Sequence, residues 1–68
     1  DDEKEEMVRE LYASIRQLKK EDRAVILLFL EDKSYQEIAE ILGITVSNVG
    51  VKLNRIKQRL KEMMHERA

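Results

Sequence analysis

The chain has 68 residues, with 13 basic and 14 acidic side chains and a formal charge of −1. At 8.1 kDa it is expected to form one small domain, residues 1–68, burying only about 60% of its unfolded surface. Cysteine is absent and His65 is the single histidine, which excludes disulfides, thiolate nucleophiles and sites that need two imidazoles.

The first predicted helix is carried by Val8, Leu11, Ile15 and Leu18, recurring at steps of three and four, with Met7 widening the stripe. Asp1, Asp2 and Glu3 suit the positive end of its dipole. The second helix opens with Glu21 and Asp22 and continues through the apolar run from Ala24 to Leu30. Alone, that run also fits a buried strand, but no second strand candidate exists to pair with it. It is too short to span a membrane, and no signal-peptide pattern opens the chain.

The third helix has a cap signature, Ser34 followed three residues later by Glu37. Ile38, Ile41 and Leu42 form its apolar face, with Ala39 beside them, and Gly43 is placed to end it in the left-handed conformation. Thr45 is the next N-cap candidate. The fourth helix runs from about Val46 into the last few residues, with Val49, Leu53, Ile56, Leu60 and Met63 or Met64 as its apolar stripe. The expected fold is all-α: a compact four-helix domain with a long C-terminal helix. No constellation supports an enzyme, a cofactor or a small-molecule substrate.

Charge is unevenly distributed. Residues 1–33 hold ten acids and seven bases, whereas residues 34–68 hold four acids and six bases. No acid lies between Glu40 and Glu62, while Lys52, Arg55, Lys57, Arg59 and Lys61 all do. The pI of 5.9 speaks against a general nucleic-acid binder, but this segment speaks for a local one.

Two helices separated only by Gly43-Ile44-Thr45 have the form of a helix-turn-helix. A small residue at Ala39 lets the second helix cross close over the first. Gly43 permits the turn, Ile44 plugs the angle, and Ile38, Leu42 and Val49 close the miniature core. An ordinary helical hairpin with a glycine cap is the plainer alternative. It does not explain the joint spacing of these six residues.

The stretch Ser34-Tyr35-Gln36-Glu37-Ile38-Ala39-Glu40-Ile41-Leu42-Gly43-Ile44-Thr45, followed by Val49, Leu53 and Arg55, resembles region 4 of bacterial sigma factors. Within that family it is most similar to the extracytoplasmic-function group of Bacteroides-like bacteria. Upstream, Leu18-Lys19-Lys20-Glu21-Asp22-Arg23 resembles the family's Leu-Pro-x-x-x-Arg segment, with Lys19 in the proline's place. The resemblance covers roughly residues 11–62. It implies binding to the −35 promoter element and to the β-subunit flap of RNA polymerase, with an anti-sigma factor as a further partner. It also implies a C-terminal domain excised from a longer sigma factor, while the short apolar run and the missing signal-peptide pattern lead to the expectation of a cytoplasmic protein. A LuxR-like effector domain shares Glu37-Ile38-Ala39, but its threonine-valine-lysine pattern is replaced here by Asn48-Val49-Gly50. A helical protein-interaction module that no longer binds DNA is the alternative from another class.

Ser47, Asn48, Val51, Lys52 and Arg55 lie off the apolar stripe of the fourth helix and form its expected recognition surface. Arg55 and Lys52 are assigned to phosphates or guanine edges, Ser47 and Asn48 to base edges or adjacent phosphates. Lys33, Tyr35 and Gln36 open the third helix, whose free N–H groups suit a phosphate. Gly50 and Val51 stand where many family members carry basic or hydroxyl residues. A glycine inside a helix costs about 1 kcal/mol against alanine, so Gly50 is expected to serve a close approach. Base preference is then expected to rest on shape and on contact with thymine methyls. Lys57, Arg59 and Lys61 lie further along and are expected to leave the DNA.

Overall fold

Helices α1 (Asp2–Arg16), α2 (Lys20–Leu30), α3 (Tyr35–Leu42) and α4 (Val46–Arg67) follow one another through short turns. The computed structural model of the protein describes residues 2–67, with side chains to residue 65. Among these residues there is no strand, and the all-α reading holds. At 1.5 Å per residue the 22-residue α4 is about 33 Å long, close to the 36 Å long axis of the molecule. The other three helices pack along it.

The core is built around α4. Val49, Leu53, Ile56 and Leu60 are buried from that helix, against Ile15, Leu18, Val25, Ile26, Ile38 and Ala39 from the others. Leu11, Phe29, Leu42, Ile44 and Met63 pack at its margin. Three residues expected to help line this core do not. Ile41 is 57% exposed, because α3 is only eight residues long and turns just Ile38, Ala39 and part of Leu42 inward. Met7 is exposed as well, as is Val8, since the first turns of α1 lie beyond the densest packing. The accessible surface, 5235 Å², accordingly exceeds the about 4,500 Å² that mass alone implies.

Each turn has its own chemistry. Arg23 Nη1 donates to the Arg16 carbonyl at 3.2 Å, closing the end of α1 from inside α2. Lys19 begins α2 at φ −59° and ψ 154°, without a side-chain cap. At the end of α2, Lys33 N–H donates to the Leu28 carbonyl and Asp32 N–H to that of Phe29, a Schellman arrangement. Its left-handed position is taken by Asp32 at φ 66°, an aspartate where glycine is more usual.

Candidate nucleic-acid interface

The two-helix unit is fixed at three points by hydrogen bonds that the local sequence supplies. Glu37 N–H donates to Ser34 Oγ at 3.1 Å, and Ser34 N–H donates to Glu37 Oε1 at 2.9 Å. These are the reciprocal bonds of a capping box. They hold the Glu37 carboxyl below the usual glutamate range: the Ser34 backbone bond acts most, then its hydroxyl, with nearby Lys33 adding to both. At the other end, Gly43 takes φ 69° and ψ 35°, and Ile44 N–H donates to the Ala39 carbonyl at 3.0 Å. Thr45 Oγ1 then accepts from Asn48 N–H at 3.0 Å and starts α4.

Between these points α3 and α4 cross over Ile38, Ala39, Val49 and Leu53, all buried. The crossing turns Ser47, Asn48, Val51 and Arg55 outward together on the N-terminal half of α4. Val51 is 58% exposed, an apolar side chain displayed among polar ones.

Lys52 is placed differently from these four. It is half-buried, and its side chain lines a hollow with Glu21 and Ala24 of α2 and with Leu42 and Ile44. At about 100° per residue, position 52 lies next to the stripe of Val49, Leu53 and Ile56, which explains its inward lean. Lys33 is also half-buried, while Tyr35 and Gln36 are exposed at the start of α3.

Gly50 faces a neighbouring side chain, but at a distance that does not require a glycine. A Cβ at that position would lie 3.6 Å from Cε2 of Tyr35. The Tyr35 ring in turn meets Phe29 edge-on, with centroids 6.4 Å apart and planes at 62°. Lys57 Nζ lies 4.7 Å from the centre of the Phe29 ring, a cation–π contact that turns this lysine toward α2. Lys57, Phe29, Tyr35 and Gly50 thus form one continuous row on a single flank of α4.

On the opposite flank Arg55 has company that its sequence position alone does not reveal. Arg55 and Arg59, one turn apart, line a hollow with Gln17 and Lys19 from the α1–α2 connection and Asp22 from α2. The i, i+4 spacing of the arginines is visible in sequence, but nothing local indicates that Lys19 lines the same hollow.

The family model described as Sigma-70, region 4 matches residues 8–60. Nothing matches among curated proteins or among solved structures. Domains of that family are DNA-binding and non-catalytic, and serve sigma factors in promoter recognition with RNA polymerase. The helix-turn-helix at its expected place therefore stands in a matched segment covering most of the chain. No helix among the described residues is long and apolar enough to cross a membrane. By the extent of the match and the fold together, the chain belongs to the sigma-70 region 4 family.

Proposed function

We propose that this domain binds the −35 promoter element with the N-terminal half of α4 in the major groove. It does so as part of a cytoplasmic sigma factor of the extracytoplasmic-function group, similar to those of Bacteroides-like bacteria. The observation that carries this reading is the joint outward display of Ser47, Asn48, Val51 and Arg55 on a helix with no acid before Glu62. Arg55 supplies a guanidinium for a phosphate or a guanine edge, and Ser47 and Asn48 supply short polar groups for base edges. Val51 offers its methyls to a thymine methyl. Lys52 contributes charge from the margin, and Lys33, Tyr35 and Gln36 approach a phosphate at the start of α3. Gly50 takes part by seating Tyr35. The polymerase β-subunit flap and an anti-sigma factor are the protein partners.

The acidic first half of the chain weakens binding by the domain alone. Affinity is expected in the range of about 10⁻⁴–10⁻⁶ M at physiological salt. Tethering by polymerase raises the local concentration and brings out specificity. The test is a titration of labelled duplex, enriched from a random pool, with the domain alone and with reconstituted holoenzyme. Weak, salt-sensitive binding that sharpens in holoenzyme is the expected result. Absence of binding in both formats would overturn the reading in favour of a protein-interaction module.

A further inference from the structure

The hollow beside Arg55 lies on the flank of α4 away from Tyr35. Its volume is about 270 Å³, and its polar lining comes from Gln17, Lys19, Asp22, Arg55 and Arg59. Among the described residues, no hydrogen bond or ion pair engages the side chains of Lys19, Arg55 or Arg59. Three cations and one amide therefore face a common space against the single carboxylate of Asp22. The fold does not require a lysine here, because Lys19 has φ −59°, an angle that proline also adopts.

Helical geometry relates this hollow to the reading face. At about 100° per residue, positions 52, 55 and 59 fall on one flank of α4, and positions 50 and 57 on the other. The second flank meets the start of α3 through Tyr35 and Phe29. A helix lying in a major groove about 12 Å wide has a phosphate strand on each side. With α4 in the groove, the start of α3 would face one strand and the α1–α2 connection the other.

We propose that Lys19, Gln17, Arg55 and Arg59 form a second backbone clamp, which holds a phosphodiester of the DNA strand opposite the one met by α3. This rests on the reading that α4 enters the major groove. Arg59 presents its planar fork to the phosphate oxygens, Lys19 supplies a point charge, and the Gln17 amide donates between them. Asp22 limits the affinity of the clamp. The contact is independent of base sequence and fixes the register in which Ser47, Asn48 and Val51 meet the bases.

The experiment measures binding of the chain to an enriched duplex and to a scrambled one across several salt concentrations. Lys19→Ala and Arg59→Ala are each expected to weaken both complexes by the same factor. Each should also make the slope of log K against log salt shallower by about 0.9. Arg59→Lys should keep the slope, and Asp22→Asn should tighten both complexes. Unchanged slopes in Lys19→Ala and Arg59→Ala, with wild-type binding intact, would overturn the clamp and leave the major-groove reading standing. Loss of specificity in Ser47→Ala or Asn48→Ala is the separate check on that reading, and no wild-type binding to either duplex overturns both. A second arm replaces chloride by inorganic phosphate at matched ionic strength. Phosphate should displace duplex from wild type more readily than from Arg59→Ala, because the free anion and the phosphodiester compete for one hollow, and equal displacement from both would overturn the proposal.

Discussion

The ring of Tyr35 lies over Gly50, so that a Cβ at position 50 would sit 3.6 Å from Tyr35 Cε2. That is ordinary van der Waals contact, and one methyl fits without moving the ring. A longer side chain has to displace it. Gly50→Ala is therefore expected to stabilise the domain by about 0.5–1 kcal/mol, the helical gain of alanine over glycine. Gly43→Ala should do the reverse. Its φ of 69° lies in the left-handed region, where a Cβ costs about 1–2 kcal/mol although nothing stands within 4 Å of it. Urea denaturation of the two variants side by side checks both signs.

Fold and contact should separate cleanly at two other positions. Arg55→Ala removes an exposed side chain and is expected to change stability by no more than about 0.5 kcal/mol while weakening promoter binding. Ala39→Leu acts through packing, since Ala39 is buried where α3 and α4 cross, and should destabilise by about 1–3 kcal/mol. Thermal melts paired with duplex titrations decide the matter. An Arg55→Ala protein that unfolds, or one that binds as before, would show that the reading face lies elsewhere.

Acid should loosen the capping box. The Glu37 carboxyl is held below its ordinary range by the Ser34 bonds, so its folded pKa is lower than its unfolded one. Its stabilising contribution is present above the unfolded value and disappears as pH falls through the folded value. Glu37→Gln keeps a side chain able to bond Ser34 N–H but removes the titration. The stability difference between wild type and this variant is expected to shrink on acidification below the ordinary glutamate range. A difference that stays constant down to that pH would refute the assignment.

Lys19→Pro should pull stability and binding in opposite directions. The backbone already has a proline-compatible φ, and the Lys19 N–H makes no hydrogen bond among the described residues. Reduced freedom of the unfolded chain should then add about 0.4–1 kcal/mol of stability. The lost charge should at the same time flatten the salt dependence of DNA binding. A melt and a salt titration on one preparation test both expectations.

Helix order and the two-helix unit were legible because their signals are local: a cap, a left-handed glycine and an apolar stripe repeated along α4. Ile41 was misread because three- and four-residue spacing within an eight-residue helix also fits a flank position. Met7 and Val8 were misread for a related reason, since periodicity shows a stripe but not how far its neighbours extend. The left-handed Asp32 carried only a weak signal, aspartate being among the few residues that tolerate that conformation. At the interface, Ser47, Asn48, Val51 and Arg55 followed from their phase on α4. The seat of Tyr35 on Gly50, the turn of Lys57 toward Phe29 and the placing of Lys19 beside Arg59 depend on tertiary packing. No window of sequence contains both partners at contact spacing.

The stripe of Val49, Leu53, Ile56 and Leu60 and the outward group of Ser47, Asn48, Val51 and Arg55 interleave along one helix without sharing a residue. Substitution in the second set leaves the first untouched. Binding preference in this domain can therefore drift over generations while the scaffold persists, and a promoter and its reader can change together by single, individually foldable steps.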